Sequence, residues 1–531
     1  MAGDNQERWG TRLGVILAVS GSAVGLGNFL RFPGTAANNG GGAFMIPYFV
    51  ALLLVGIPVG WAEWTMGRYG GRKGFHSCPA IMGVIGGGAF ARYLGVLGLL
   101  IPMVVYMYYG LIESWCLQYA WAFATGGIGL AGDSAQMAGQ SSEYFGTVSG
   151  VERDGVLLAD GSTLTFWLAI VALNAYFVWR GLSGGIEKFC QWAMPAMAVC
   201  AVIVLVRVLT LGTPDPAQPD LNVVNGLGYM WNPDFAALGN AETWLAAAGQ
   251  IFFSLSVGFG VIVNYASYLR KKDDVVLSGL TASATNEVFE VGFGGLITLT
   301  AAFVFLGASG ATGSTFALGF NTLPVVFAHM GALGNLIGAL WFFMLFLAAI
   351  TSSLSMLQPV KAFIQEALGW SNGQAVIAVV VFTALGSLWN LNFTKGLVAL
   401  DTMDFWVGTA AIFVLATVQV IYFGWVFGIK RGMTEAHYGA KMRIPKVVGF
   451  VIKYVAPAYL LVVFVAFCRQ SLGARIDALF EDPVAGQTIV LVLGVVLVLL
   501  VMIRIGEVRW RALGLDLDGR RAPDDELEDP S

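Results

Sequence analysis

The chain has 531 residues, of which 57% are hydrophobic and only 12% are charged. Soluble domains carry about 25% charged residues, so most of this chain is predicted to lie in a lipid bilayer. The formal net charge of −4 argues against nucleic-acid binding, which needs a basic surface. The five cysteines are scattered without a CxxC pair, so neither a disulfide framework nor a metal site is indicated.

Twelve apolar segments approach or exceed the roughly 20 residues that cross a bilayer. Their predicted ranges are 12–37, 42–69, 90–124, 164–181, 190–211, 242–268, 276–307, 336–367, 374–393, 398–425, 447–470 and 486–505. Lys and Arg are concentrated in alternate loops, such as 68–92 and 430–446, whereas loops 212–241 and 308–335 contain none. The positive-inside rule therefore predicts that both termini are cytoplasmic. No signal-peptide pattern precedes the first span, so we expect it to remain as a membrane anchor.

The first span is interrupted at residues 21–31, where three glycines in seven positions are followed by an Asn and an Arg. Glycine destabilises a helix interior, and a charge at membrane depth is costly. Irregular backbone inside a membrane is tolerated only where protein or a water-filled cavity surrounds it. This segment is therefore predicted to be a broken helix that lines a site. The sixth span contains a similar interruption at 253–260.

Two interrupted spans that lie five apart have opposite membrane orientations. This pattern predicts an inverted repeat of 5+5 spans, with substrate and ions bound at the two breaks. We therefore assign 12–211 to repeat one and 242–425 to repeat two. Residues 1–11 are expected to form a cytoplasmic N-terminal segment, 447–505 the last two spans, and 506–531 a cytoplasmic tail.

Several separated motifs resemble the neurotransmitter:sodium symporter family, and within it the bacterial carriers of the leucine-transporter type. They include GLGNFLRFP at 25–33, NGGGAFMIPY ending at Tyr48, and GQIFFSLSVGFG at 249–260. The resemblance extends over nearly the whole chain. It implies an all-α integral membrane protein of twelve transmembrane helices, in which helices one and six are broken. It also implies a transporter and not an enzyme: a sodium-coupled symporter of the cell (inner) membrane that imports a neutral L-amino acid by alternating access.

The resemblance implies a substrate site at the first break. The backbone amides of Leu26 and Gly27, at the N-terminus of the second half-helix, and the hydroxyl of Tyr109 would bind an amino-acid carboxylate. Gly25 leaves room for it, whereas the monoamine carriers of the family have a carboxylate there. The remaining implied lining is Val105, Phe253, Ser254, Ser256, Phe259, Ser352, Ser355 and Met356. None of these residues is charged, so a charged substrate side chain would be left unpaired.

Two sodium sites follow from the same resemblance. The first consists of the Ala23 carbonyl, Asn28, Ser254, Asn286 and the substrate carboxylate, so that ion and substrate binding are coupled. The second consists of the carbonyls of Gly21, Val24 and Ala348 and the hydroxyls of Thr351 and Ser352. Glu290 stands where chloride-dependent relatives have a neutral residue. Its carboxylate implies chloride independence, and proton counter-transport through Glu290 is left open.

Two gates are also implied. Arg31 and Asp404 match the external gate pair, joined directly or through water. Trp9 and Glu366 belong to the internal gate, where Gln6 replaces the arginine of the family pattern. Either Arg8 reaches Glu366, or Gln6 forms a weaker neutral bond. The internal gate is therefore expected to open more readily than in the family pattern.

Without the resemblance, plainer interpretations stay open. Gly21 and Gly25 equally fit a GxxxG helix-packing motif, and Ser and Thr in membrane helices usually bond to their own backbone. An amino-acid-gated channel or sensor on the same fold, and a carrier of betaine-like or β-amino-acid solutes, are alternative functions. The preferred amino acid, the stoichiometry and the oligomeric state are left open, with a homodimer among the alternatives.

Overall fold

The computed structural model describes residues 7–155, 161–310 and 315–520. Within these ranges, ten helices are long and apolar enough to cross a membrane. They are Gly42–Arg72, Ala89–Ala124, Gly161–Trp179, Leu182–Leu209, Val275–Ser309, Gly331–Leu368, Asn372–Asn392, Lys395–Ala436, Lys446–Glu481 and Pro483–Ala512. Shorter helices lie between them at Cys78–Gly86, Ser134–Ser149, Val223–Trp231 and Ala317–His329. The described residues contain no β-strand, only an isolated bridge between Gly41 and Pro233.

Two further spans are broken, as predicted. Arg12–Ala23 and Gly27–Asn38 meet at an angle of 48°. Ala241–Leu255 and Val261–Ala266 are separated by a non-helical stretch at 256–260. With the ten continuous helices, these pairs overlap the twelve predicted ranges, and several helices are longer than predicted, such as Leu182–Leu209 and Lys395–Ala436. We number them span 1 to span 12 in chain order.

Span 3 (Ala89–Ala124) is the centre of the bundle. Its apolar stretch is 94% buried, against 28% for span 4 (Gly161–Trp179) and span 12 (Pro483–Ala512), whose outer faces are open to lipid. Span 3 packs along span 8 (Gly331–Leu368), and the first half of span 1 packs against spans 5, 7 and 8. The breaks of spans 1 and 6 are thus enclosed by protein, which is the condition under which irregular backbone is stable in a membrane.

The break in span 6 depends on backbone conformations that favour glycine. Ser256, Gly258 and Gly260 all have positive φ angles, of 53°, 76° and 83°. A Cβ atom at Gly258 would lie 2.9 Å from the Ile412 carbonyl oxygen, so the position has no room for a side chain. The helix ends here because the chain turns left-handed while packed closely against its neighbours.

The described ends of the chain lie on the same side of the bundle. Arg12, at the start of span 1, pairs with Asp274 in the loop between spans 6 and 7 at 3.4 Å. Lys73, between spans 2 and 3, pairs with Asp516 beyond span 12 at 3.0 Å. The two ends lie on one side because the number of spans is even and each span crosses the bundle once.

Candidate substrate and ion site

The break in span 1 is stabilised by the side chain of Asn28. The first half-helix ends at Ala23, and Val24 is extended with φ −75° and ψ 99°. Asn28 Oδ1 accepts the backbone N–H of Gly25 at 2.8 Å, which satisfies an amide that has left the helix. The second half-helix begins at Gly27, so its N-terminal end and its partial positive charge face the gap.

Serine hydroxyls join the two breaks to span 8. Ser256 Oγ, in the break of span 6, donates to the Ser22 carbonyl at 3.0 Å. From span 8, Ser352 Oγ contacts the carbonyls of Gly21 and Ser22, each at 3.3 Å. The hydroxyls of Ser22 and Ser355 are 2.7 Å apart. The structure therefore gathers the unwound part of span 1, the unwound part of span 6 and the middle of span 8 around one group of polar atoms.

The space beside Gly25 is bounded by two hydroxyls from different spans. A Cβ atom there would lie 3.3 Å from Tyr109 Oη and 3.3 Å from Ser352 Oγ. At Gly27 a Cβ atom would approach the Phe253 ring at 2.9 Å. The predicted lining residues that are at most 8% exposed are Val105, Tyr109, Ser254, Ser256, Phe259, Ser352, Ser355 and Met356. Helix amides and two hydroxyl donors at one buried point are suited to an anion such as a carboxylate.

The three side chains predicted for the first sodium site, those of Asn28, Ser254 and Asn286, form one buried cluster. Asn28 Nδ2 donates to Asn286 Oδ1 at 2.8 Å, and Asn286 Nδ2 donates to Ser254 Oγ at 2.7 Å. Glu290 lies beside them and accepts from Asn28 at 3.1 Å and from Asn286 at 3.2 Å. Gln250 donates to its other oxygen at 2.7 Å, and Ser254 also contacts the carboxyl group. The cluster is thus rich in oxygen atoms, which sodium prefers.

Glu287 is a second acid at this cluster and was not predicted from the sequence. The Tyr48 hydroxyl donates to Glu287 Oε2 at 2.9 Å, and Asn286 Nδ2 lies 3.4 Å from Oε1. Glu287 precedes Glu290 by three residues, a spacing that places both acids on one helical face. That spacing was the available signal.

Four of the five residues predicted for the second sodium site meet between spans 1 and 8. Thr351 Oγ1 donates to the Ala348 carbonyl at 3.1 Å, and Ser352 Oγ donates to the same carbonyl at 3.0 Å. A Cβ atom at Gly21 would lie 3.1 Å from Thr351 Cβ, so the two spans are in close contact here. Val24 stands where the backbone turns extended, at the end of the first half-helix.

On the side of the second half of span 1, the predicted gate residues have separate partners. The Arg31 guanidinium lies over the Phe253 ring at 4.6 Å, and Asp404 accepts the Tyr108 hydroxyl at 2.6 Å. Within the described ranges, no direct ion pair joins Arg31 to Asp404. Tyr108 was not predicted as a partner, although it directly precedes the predicted Tyr109. A helical step of one residue aims the two hydroxyls in different directions.

At the opposite side, the N-terminal segment is bound by a lysine of span 8. Lys361 Nζ donates to Glu7 Oε1 at 2.8 Å, and Gln358 Nε2 lies 3.4 Å from Glu7 Oε2. Trp9 Nε1 donates to the Tyr265 carbonyl at 2.9 Å, and the Trp9 and Tyr265 rings pack edge to face. Neither Glu7 nor Lys361 was singled out from the sequence, because their pairing depends on how span 8 packs against the N-terminal segment.

Glu366 has partners other than those considered from the sequence. It accepts the backbone N–H groups of His76 and Ser77 at 2.6 and 2.9 Å, and the Ser77 hydroxyl at 2.9 Å. Arg8 is exposed, and Glu366 is held by the loop between spans 2 and 3 rather than by Arg8. Gln6, the other candidate partner, lies outside the described residues.

Two further buried acids support the broken spans. Glu187, at the start of span 5, accepts the N–H groups of Gly10 and Thr11 at 2.7 and 3.0 Å, which caps the N-terminus of span 1. Glu63 Oε1 accepts the Gly258 N–H at 3.3 Å in the break of span 6. Helix-end amides that lack a helical partner need such acceptors.

Comparison with known proteins gives a consistent picture. The family model of the sodium:neurotransmitter symporter family matches residues 6–131 and 134–511 of this chain. An uncharacterized sodium-dependent transporter of Methanocaldococcus jannaschii is 31% identical over 438 residues, which cover 80% of this chain and 82% of that protein. Sodium-dependent nutrient amino acid transporter 1 of Drosophila grimshawi is 26% identical over 481 residues, covering 82% of this chain and 72% of that protein.

Among solved structures, the crystal structure of MhsT in complex with L-phenylalanine is similar to this chain. The TM-score is 0.73 at 27% sequence identity, and the match covers 87% of this chain and 99% of MhsT. This match confirms the predicted fold class, an all-α membrane bundle with broken first and sixth helices.

Proposed function

Because this chain belongs to the sodium:neurotransmitter symporter family, whose members are transporters and not enzymes, we propose that it imports a neutral L-amino acid together with sodium. The chain is a multi-pass membrane protein and a sodium-dependent transporter. Relatives are named as nutrient amino acid transporters, and MhsT was solved with L-phenylalanine, so an amino acid is the class of substrate these comparisons favour.

The observation that carries this proposal is the position of Gly25. Its missing side chain leaves a space next to Tyr109 Oη and Ser352 Oγ, at the N-terminal end of a half-helix. A substrate carboxylate placed there is met by helix amides, by hydroxyl donors and by the positive end of the helix dipole. The rest of the lining is uncharged, so a charged substrate side chain would be buried without a partner.

Two sodium ions are proposed to bind with the substrate. The first would take oxygens of Asn28, Ser254 and Asn286 together with one oxygen of the substrate carboxylate, which makes the binding of each depend on the other. The second sodium ion would bind the carbonyl oxygens of Gly21 and Ala348. It would replace the hydrogen bonds that these oxygens now accept from the Ser352 hydroxyl. Since these carbonyls belong to spans 1 and 8, an ion there holds the two spans together.

Glu290 supports the proposal of chloride independence. Its carboxyl group accepts from Asn28, Asn286 and Gln250 beside the first ion site, where it can supply the negative charge that an anion would bring. Proton counter-transport through Glu290, with Glu287 beside it, is the extension of this proposal. Replacing chloride by gluconate should leave uptake unchanged, and a collapse of uptake in gluconate would refute it.

The side of the bundle that carries the N-terminal segment is proposed to face the cytoplasm of the cell (inner) membrane, as the loop charges predict. The contacts of Glu7 with Lys361 and of Trp9 with Tyr265 then close the internal side. Arg31 over Phe253 covers the substrate space from outside. Alternating access results when the internal contacts and the external contact open one after the other.

The test is uptake into proteoliposomes that contain the purified full-length protein. A sodium gradient should drive saturable accumulation of a labelled neutral amino acid, and an equal potassium gradient should drive none. Competition with the twenty amino acids should be strong for neutral side chains and absent for Asp, Glu, Lys and Arg. Competition by betaine or β-alanine alone would favour the alternative carrier, and current without accumulation would favour a channel.

A further inference from the structure

Span 10 and span 11 form a basic and aromatic cluster on the side of the N-terminal segment, away from the substrate site. It consists of Trp425, Phe450, Lys453 and Tyr454. Lys453 Nζ lies 4.8 Å from the centre of the Trp425 ring and 5.4 Å from that of Tyr454. The rings of Trp425 and Tyr454 pack edge to face at 5.3 Å, and Phe450 lies 5.2 Å from Tyr454.

Backbone contacts hold this cluster in place. Trp425 Nε1 donates to the Lys453 carbonyl at 2.8 Å. A Cβ atom at Gly424 would lie 3.2 Å from Lys453 Cα, so the missing side chain lets spans 10 and 11 approach each other. The ammonium position is therefore set by the packing of two helices and is not that of a free surface lysine.

The Lys453 ammonium has no anionic partner within the described residues. Two buried cations elsewhere are paired, Arg92 with Glu507 at 2.5 Å and Lys361 with Glu7 at 2.8 Å. In contrast, Lys453 makes neither an ion pair nor a side-chain hydrogen bond, and its contacts are with ring faces. Three N–H donors of an ammonium group are thus left for a ligand.

The cluster lies at headgroup depth and faces lipid. Span 11 runs over Lys446–Glu481, 36 residues. At 1.5 Å per residue it is about 54 Å long, some 24 Å more than the hydrocarbon core of a bilayer, so about eight residues at each end lie in the headgroup region. Lys453 is the eighth residue. Trp425, Phe450 and Tyr454 are 55%, 58% and 45% exposed, as in an interfacial aromatic belt.

The charge around the cluster is positive. Residues 429–455 contain six Lys or Arg and one acid, Glu435. Glu435 is buried and paired with Arg68 at 3.1 Å and Arg72 at 2.5 Å, so it presents no charge to the lipid. Lys446 is exposed and lies two helical turns before Lys453, on the same face of span 11.

We infer that Trp425, Phe450, Lys453 and Tyr454 form a binding site for the headgroup of an anionic phospholipid. The phosphodiester accepts hydrogen bonds from the Lys453 ammonium, and the glycerol and upper acyl chains lie against the exposed rings. The neighbouring bases favour a lipid with net negative charge over a zwitterionic one, because basic residues near a membrane surface attract anionic lipids.

The test uses the full-length protein in nanodiscs of phosphatidylcholine that contain a minor fraction of phosphatidylglycerol, with retained lipids counted by native mass spectrometry. The wild-type protein should retain phosphatidylglycerol in preference to phosphatidylcholine. K453Q should lower this retention about fivefold, and K453R should preserve it. K188Q removes an exposed lysine at the start of a helix on the same side and should have no effect.

Equal losses in K453Q and K188Q, or equal retention of both lipids by the wild type, would overturn the site. A second measurement does not depend on the folding of any variant. Photoactivatable phosphatidylglycerol should label wild-type peptides that contain Trp425 or residues 450–454. Labelling spread evenly over the lipid-facing peptides would also reject the proposal.

Discussion

Lys361, near the C-terminal end of span 8, donates a hydrogen bond to Glu7 at 2.8 Å across 354 residues of sequence. The Lys361 side chain is fully buried, and Glu7 is 30% exposed. The acid is thus on the N-terminal segment and the base on span 8, the reverse of the family pattern described for Gln6 and Glu366. We therefore propose that closure of this side depends on an ion pair of opposite polarity.

The first prediction concerns this pair. E7Q leaves the buried Lys361 ammonium without its charged partner, which costs roughly 1.5–3 kcal/mol and favours the state in which the N-terminal segment has moved away. The fraction open on this side should rise about tenfold or more, as measured by distances between spin labels across that face. The reversed double variant E7K/K361E should restore closure. D401N, which breaks the exposed pair with Arg475 on the other side, is the matched control.

If E7Q and D401N give the same distance distribution, Glu7 has no part in closure. A double variant as open as E7Q alone would show that the segment needs these particular side chains and not simply opposite charges.

The second prediction concerns Gly25. G25A adds a methyl group 3.3 Å from the hydroxyls of Tyr109 and Ser352, and G25D adds a charge that repels a substrate carboxylate. Substrate affinity should fall about tenfold or more in G25A and be lost in G25D, as measured by equilibrium binding of labelled substrate. G34A is the matched control in the same half-helix, since a Cβ atom there meets nothing within 4 Å. Wild-type affinity in G25D would show that the carboxylate binds elsewhere.

The third prediction concerns the second sodium site. S352A removes the hydroxyl that contacts the Gly21 and Ala348 carbonyls. The sodium concentration for half-maximal substrate binding should rise several-fold, because one oxygen ligand is lost. S353A is the neighbouring control, since Ser353 Oγ donates to Asn174 Oδ1 at 2.8 Å on another face of span 8. Identical sodium dependence in S352A and S353A would count against an ion at this place.

The fourth prediction concerns pH and His76, in the loop between spans 2 and 3. Burial lowers the pKa of His76 from 6.5 to about 4, and its ring stacks on Tyr268 at 4.3 Å. Between pH 6.5 and 4 the unfolded chain binds a proton that the folded chain does not, so stability falls as the pH falls through this window. The melting temperature should drop less in H76Q than in the wild type between pH 7 and 4.5. Parallel pH profiles would exclude His76 as a source of acid sensitivity.

Most of the architecture was predictable from the sequence. The helical membrane fold, the breaks in the first and sixth predicted ranges and the family were correct. A lipid environment makes this possible, because each span must satisfy its own backbone hydrogen bonds and so carries its signal locally. Glycines and polar residues inside an apolar run are conspicuous against that background. The predicted residues around Gly25 and Asn28 lie close together for the same reason, since they surround the two breaks.

Side-chain partners were not predictable in this way. Asp404 accepts the Tyr108 hydroxyl, Glu366 binds the loop at His76, and Lys361 pairs with Glu7. Such pairs join positions that are hundreds of residues apart, and a shift of one residue on a helix turns a side chain away by about 100°. The sequence by itself determined which segments cross the membrane and where two of them break. Only the tertiary structure decided which charges meet, because that depends on how the spans pack.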